Sequence, residues 1–322
     1  MTADLNKSAD KSSSLAGELA ALWRSLPDKL LFFSVFTGWV LLFHFLGNST
    51  FGYKDTPSLF GWMNYTYSIS ADDQHGYLVP ILVLGLLCWK RKELIKLPKG
   101  TWWPALNLVV LGLLIHIAGF LVQQTRISII AFFVGLYGLT GLVWGRQWLR
   151  ATFFPCCLFV FCFPLGTLAE SITFPLRLLA TKITVTLAHF PLGIDVLHNG
   201  TSIWDPTGRF QYEVAAACSG LRSLTAIFAV ATIYGFIEFR TNWQRLVVIA
   251  AAFPLAVLGN VVRLSTIIVA AETFGQSAGN YVHQSNVFSL LPYVPAILGL
   301  ILLGRWLDRP IVPRMALETT AV

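Results

Sequence analysis

A cysteine and an arginine lie one helical turn apart in the run AACSGLRSL at 216–224. The residues before this run are polar and extended in pattern, and those after it have the composition of an apolar helix. Because nearby positive charge favours the thiolate, which is the nucleophilic form, Cys218 beside Arg222 is a candidate activated nucleophile. A cation in an apolar helix is also costly, so Arg222 needs a partner or a function.

Two further groups could complete such a site. Arg263 lies deep in a later apolar segment, with Asn260 one helical turn before it, and His283 lies just before the last apolar segment. A histidine can accept a thiol proton and return it to a leaving amine. An arginine stays protonated, so it can instead hold an oxyanion or a carboxylate.

The composition defines the class of protein that must position these groups. Of 322 residues, 55% are hydrophobic and 12% are charged, and the mean hydropathy is +0.66. That balance excludes a soluble globular chain. The net charge of +7 is spread over short loops, which does not indicate a nucleic-acid partner. We expect no cleaved signal peptide, because the first 29 residues contain no short apolar segment ending in a cleavage site.

The hydropathy pattern predicts an all-α polytopic membrane protein with about eight transmembrane helices. We expect a cytoplasmic tail over 1–29, one transmembrane domain over 30–308 and a second cytoplasmic tail over 309–322. The predicted helices lie at roughly 30–47, 76–89, 104–123, 127–145, 148–168, 219–238, 246–271 and 289–307.

The loop charges predict the orientation of these helices. Lys and Arg number 16 in the two tails and the loops of one side, but five on the other side. The positive-inside rule therefore places both termini in the cytoplasm and the segments 48–75, 169–218 and 272–288 outside. All of the candidate residues named above then map to the outer side of the membrane.

The longest outer segment has two parts. Residues 170–190 have the spacing of an amphipathic helix, interrupted by Pro175. Val196–Trp204 and Gly208–Val214, separated by turn residues, predict a small two-stranded β-hairpin on the outer face that leads to Cys218.

Other interpretations of these residues remain open. An arginine in a membrane helix can bond backbone carbonyls and serve the fold alone, and a cysteine in an apolar run is commonly structural. His75, at a helix start, could line the site or cap an interfacial helix. A metal site from Asp72, Asp73 and His75 is conceivable, but nothing else supplies a ligand pattern, so we expect no metal and no cofactor.

The chain resembles the exosortase/archaeosortase family of membrane cysteine transpeptidases. The similarity is carried by EVAAACSGLRSL at 213–224, NVVR at 260–263, His283, and HGYLVP at 75–80. It covers most of the chain from about residue 65 to 300.

The resemblance implies that Cys218 is the nucleophile, Arg263 the catalytic arginine and His283 the third member of the site. It also implies a location in the cytoplasmic (inner) membrane and a class of substrate. That class is secreted proteins with a C-terminal sorting signal, in which a short motif such as Pro-Glu-Pro precedes a transmembrane helix and a basic tail. The residues expected to bind substrate or support the site are Arg222, Asn260, Glu213 and His75.

A different class of function is compatible with the same sequence. A transporter or assembly component for envelope polysaccharide could bind an anionic substrate with Arg222 and Arg263. A membrane scaffold would explain neither arginine. Transport could survive loss of the Cys218 thiol, whereas covalent catalysis could not.

The predicted topology can be tested with single reporter cysteines. A reporter in 195–212 or near 278 should react with a membrane-impermeant maleimide from the outside, and one near 95 only from the cytoplasm, because of the charge asymmetry. Reaction of the 195–212 reporter from the cytoplasm alone would invert the topology and separate the site from secreted substrates.

Overall fold

The computed structural model describes residues 15–50, 54–213, 221–285 and 287–308. The chain divides into two compact units, Met1–Leu165 and Gly166–Val322. Regular structure in the described residues is helical, mostly α-helical with short 3₁₀ turns, apart from one small sheet in the second unit.

The first unit is built on the pairing of α6 with α7, and α2 packs against the same α7. Gly112 and Gly135 let the backbones of α6 and α7 approach closely, since a Cβ on Gly112 would lie 3.0 Å from the Cα of Gly135. The Trp39 indole of α2 donates to the carbonyl of Phe132 at 3.0 Å. The helices of this unit are α1 (Leu15–Ser25), α2 (Lys29–Leu46), α3 (Leu59–Ile69), α4 (Val79–Trp89), α5 (Arg91–Lys96), α6 (Leu106–Leu121), α7 (Thr125–Trp144) and α8 (Arg146–Cys157).

The second unit is organised around α12, which packs against α9, α10, α13 and α14. Its elements are α9 (Thr167–His189), β1 (Leu197–Asn199), β2 (Ser202–Trp204), β3 (Gln211–Glu213), α10 (Leu221–Glu238), α11 (Asn242–Ala250), α12 (Ala252–Phe274), α13 (Gln276–Gln284) and α14 (Tyr293–Leu307). The helix α9 runs through Pro175 without the interruption that the sequence suggested.

Five helical segments among the described residues are long and apolar enough to cross a membrane. Large apolar side chains cover their surfaces, as Leu298, Leu302 and Trp306 do along one exposed face of α14. The protein is therefore a multi-pass α-helical membrane protein. The five segments are Lys29–Leu46, Trp103–Leu121, Thr125–Trp144, Asn242–Phe274 and Phe288–Leu307.

The other three predicted spans do not meet that criterion. Those predicted at 76–89 and 219–238 correspond to shorter apolar helices, Gln74–Trp89 and Ser223–Glu238. The span predicted at 148–168 is not one helix, because α8 ends at Cys157 and a 3₁₀ turn follows over Leu158–Cys162. Phe163 is extended before Pro164, as a residue before proline favours, so hydropathy alone overestimated this helix.

The sheet differs from the predicted two-stranded hairpin by one strand. β2 and β3 pair antiparallel with Ile203 opposite Tyr212, across the turn expected from the sequence. The first predicted strand folds back on itself at Gly200, whose φ of +61° is readily adopted by glycine, and so forms both β1 and β2. The sheet therefore has three strands in the order β1-β2-β3.

The turn before β3 is ordered by Asp205. Its carboxylate accepts hydrogen bonds from the Thr207 hydroxyl and from the backbone and side chain of Arg209. These bonds, that of Thr207 foremost, lower the pKa of Asp205 to about 2. The same Arg209 reaches Glu272 near the end of α12, with Nη2 and Oε1 2.8 Å apart.

β3 is fastened directly to α13. The Gln276 side chain accepts from the backbone N–H of Gln211 at 3.0 Å and donates to its carbonyl at 3.3 Å. The Tyr212 hydroxyl donates to the carbonyl of Gln276 at 3.1 Å and occupies the space beside Gly279, where a Cβ would lie 2.0 Å from it. The strand and the helix therefore fit together only because residue 279 has no side chain.

We predict that Gly279→Ala lowers the unfolding temperature in detergent. The added methyl group must displace Tyr212, and overpacking of this kind typically costs about 1 to 3 kcal/mol. Tyr212→Phe in the same background should recover part of the loss because it removes the nearest atom. Gly38→Ala is the matched control, since a Cβ there meets nothing within 4 Å. Equal unfolding temperatures for the two alanine variants would contradict this account of the contact.

Candidate functional site

The nucleophile predicted from the sequence, Cys218, lies outside the described residues. Glu213 is the last residue of β3, and Leu221 begins α10. Arg222 is the second residue of α10, and the structure describes its backbone but not its side chain. Cys218 thus follows β3 by five positions and precedes α10 by three.

Arg263 is held in the interior of the second unit by its neighbour α13. Its Nη2 donates to the backbone carbonyl of His283 at 3.2 Å. Its Nε is buried and has no hydrogen-bond acceptor among the described residues. Asn260, one turn earlier on α12, is buried as well, with 5% of its surface exposed. Within the described residues, the structure therefore brings Arg263 and His283 into contact and leaves one donor of the guanidinium without an acceptor.

His283 lies in the last turn of α13, beside β3. Its ring faces that of Tyr212 with centroids 6.5 Å apart and an angle of 22° between the planes. Burial, and secondarily the charge of Arg263, lower the pKa of His283 below its usual value of about 6.5. The imidazole is consequently neutral at physiological pH and can accept a proton.

The remaining candidates of the early sequence lie in the first unit. Nδ1 of His75 lies 2.8 Å from the carbonyl oxygen of Asp72 in its own turn. Asp73 accepts a hydrogen bond from the backbone N–H of Leu165. No cluster of three or more potential metal ligands occurs in the described part of the chain.

The other cysteines also belong to the first unit and are free thiols. Cys162 is buried, and the other three are partly buried. The partly buried cysteines are Cys88, Cys156 and Cys157.

Sequence reasoning missed the residues that join the strand to the histidine. Tyr212 and Gln276 belong to no motif, yet they make the contacts that hold β3 against α13. A weak signal was available, because Phe210 and Tyr212 alternate with polar residues as in a half-buried strand, and both are buried. Gln276 carried no comparable signal.

The apolar spans, the buried arginine and the neutral histidine define a polytopic membrane protein with a candidate acid–base site. The model of the transmembrane exosortase family (Exosortase_EpsH) matches residues 62–302, well over half of the chain. The chain therefore belongs to the transmembrane exosortase family, whose members are generally cysteine peptidase-like transpeptidases. Comparison with curated proteins and with solved structures finds no match.

We predict that Arg263→Gln raises the pKa of His283, because it removes a positive charge that disfavours the imidazolium. The measurement is the rate at which diethyl pyrocarbonate modifies His283 over about pH 5 to 8, resolved by mass spectrometry, since the reagent attacks neutral imidazole. The midpoint should move to higher pH. In Arg209→Gln, which removes a cation that pairs with Asp205 and Glu272, it should not move. An unchanged midpoint in Arg263→Gln would contradict the electrostatic coupling.

Proposed function

We propose that the protein is a membrane-embedded cysteine protease and transpeptidase. It cleaves C-terminal sorting signals from secreted proteins at the outer face of the cytoplasmic membrane. Cys218 is the nucleophile, His283 the acid–base group and Arg263 the oxyanion-binding or orienting group. Membership of the exosortase family supports the class of reaction.

The observation that carries the proposal is the attachment of β3 to α13. Tyr212 contacts both Gln276 and His283, and the chain continues from β3 towards Cys218. Five residues span at most about 17 Å even when fully extended, so the attachment limits the distance between the thiol and the histidine. Arg263 is held next to these residues by its hydrogen bond to the backbone carbonyl of His283.

The reaction follows from the chemistry of these groups. His283 accepts the thiol proton, and the thiolate of Cys218 attacks the scissile carbonyl to form a tetrahedral oxyanion. The carbon–nitrogen bond then breaks, the imidazolium returns the proton to the leaving amine, and a thioester to Cys218 remains. An amine of the acceptor attacks the thioester and restores the thiol. If water attacks instead, the outcome is hydrolysis.

The unpaired donor of Arg263 suits the oxyanion. Its Nε is buried, so a hydrogen bond to developing negative charge is little weakened by water. Arg222, one helical turn from the cysteine in sequence, favours the thiolate. The supporting residues of this proposal are Asn260, Glu213 and His75.

The proposed topology has eight membrane crossings, both termini in the cytoplasm and the small sheet outside. Two of the crossings are the shorter apolar helices, and the crossing predicted at 148–168 is assigned to α9, a 23-residue helix that packs along α12. A thiol at the outer surface could then reach a peptide bond just outside the transmembrane helix of a sorting signal. The substrates are secreted proteins with a motif such as Pro-Glu-Pro before that helix and a basic tail after it.

The test is Cys218→Ala in the full-length protein, with a tagged sorting-signal substrate. Cleavage should be abolished, while expression and membrane insertion persist because little volume is removed. Alanine at three cysteines of the apolar segments provides matched controls and should leave cleavage within a few-fold of wild type. Those controls are Cys156, Cys157 and Cys162.

Two results would count against the proposal. Cleavage by Cys218→Ala at the wild-type rate would show that Cys218 is not the nucleophile. Export of envelope polysaccharide that depends on Arg263 but tolerates Cys218→Ala would favour the transporter. Detection of a substrate thioester by hydroxylamine release, lost in Cys218→Ala, would support the covalent route.

A further inference from the structure

A row of polar side chains is buried along one face of α9. Thr173, Arg177, Thr181 and Thr184 recur at helical spacing and are at most 5% exposed. The hydroxyls of Thr181 and Thr184 and the Nε of Arg177 have no hydrogen-bond partner among the described residues. Buried polar atoms are nearly always paired, so these three side chains point to a ligand.

The charge of Arg177 is also poorly matched. Among the described side chains the nearest acidic group is Glu170, whose Oε1 lies 3.9 Å from Nη2 and whose side chain is 69% exposed. The guanidinium packs over the Phe174 ring at 5.5 Å, which is a weak interaction. A buried cation without a hydrogen-bonded anion is strongly unfavourable, so an anionic group is the natural complement here.

The row lies at the depth of the proposed site. The backbone N–H of Ile194 donates to the carbonyl of Ala188 at the end of α9, and Arg209, in the turn before β3, pairs with Glu272 near the end of α12. Since the two helices pack side by side, their carboxyl ends lie together. Arg177 is eleven residues before Ala188, and Arg263 is eleven before Phe274, so each lies about 16 Å from that end.

The opposite face of α9 carries a stripe of exposed apolar side chains. Leu179, Ile183 and Leu187 are exposed there at a spacing of four residues. A lipid headgroup approaching from that side would not meet Arg177, whereas a peptide bound between the elements of this unit would. The geometry therefore favours a group carried by the substrate over a phosphate of the surrounding bilayer.

We propose that Arg177, with Thr181 and Thr184, forms a specificity subsite for the carboxylate of an acidic side chain in the substrate peptide. This inference rests on the function proposed above. The guanidinium binds both carboxylate oxygens and the hydroxyls complete their hydrogen bonding, which places the peptide beside Arg263 and His283. Arg177 is here a positioning residue and takes no part in bond making.

The test uses a tagged substrate that carries Pro-Glu-Pro before its transmembrane helix, and versions with Gln or Lys in place of Glu. The wild-type protein should cleave the Gln version with a kcat/KM about 10- to 100-fold lower, because a charge-assisted hydrogen bond is lost. Arg177→Gln should lower kcat/KM for the Glu version by a similar factor and leave the Gln version unchanged. Arg177→Glu should reverse the preference towards the Lys version.

Lys182→Gln is the matched control, because it removes an exposed cation from the same helix. It should keep the wild-type preference. The same three substrates are also tested for co-purification with Cys218→Ala, with and without Arg177→Gln, in vesicles with and without anionic lipid. Binding should follow the charge of the peptide and not that of the lipid.

The inference is overturned if the wild-type protein treats the three substrates alike, a result that needs no variant to fold. It is also overturned if Arg177→Gln lowers cleavage of all three equally, which indicates a structural role, or if preference follows the lipid. Cleavage that persists in Cys218→Ala while depending on Arg177 would instead refute the proposed catalytic mechanism and leave the subsite standing.

Discussion

The position of β3 is the constraint on which the candidate site depends. Tyr212 connects the strand to α13 at two points, through a hydrogen bond to Gln276 and through its ring against His283. Gly279 permits that approach, and the Arg209–Glu272 ion pair holds the preceding turn to α12. A strand of three residues has little stability of its own, so these contacts, more than the sheet, fix where the chain leaves for Cys218.

Arg263 satisfies two demands that the sequence presented as alternatives. One nitrogen bonds the carbonyl of His283, as expected of an arginine that serves the fold. Another is buried and has no acceptor in the part of the chain that the structure describes, as expected of a group that binds a ligand. Because the guanidinium is rigid and planar, the first bond orients the second donor. Arg263 can therefore support the fold and bind a ligand at the same time. A lysine could not do both, because it has no rigid, planar set of donors.

Sequence patterns predicted the structural features that depend on local sequence, and failed for those that depend on contacts between distant residues. Hydropathy identified the long spans, but it could not show that the segment beginning at 148 stops being helical at Phe163, before Pro164. The meeting of Arg263 with His283, twenty residues apart, depends on Gly275, whose φ of +86° lets α13 fold back along α12. Arg177 is one of the five cations that the charge count placed on the outer side, although its spacing from Thr173 and Thr181 already indicated a polar helix face.

The effect of Arg263 on His283 explains how one cation can assist a step that it also opposes. In the resting site its charge lowers the pKa of the imidazole and disfavours the imidazolium that proton transfer must create. Once the thiolate attacks, negative charge develops on the carbonyl oxygen, and the unpaired donor of Arg263 has an acceptor. The penalty is then offset by an interaction that exists only near the tetrahedral state. An interaction that strengthens between ground state and transition state is what accelerates a reaction. Under the proposed mechanism Arg263 adds to the effect of burial in lowering the pKa of His283, and its own binding energy is directed to the chemical step.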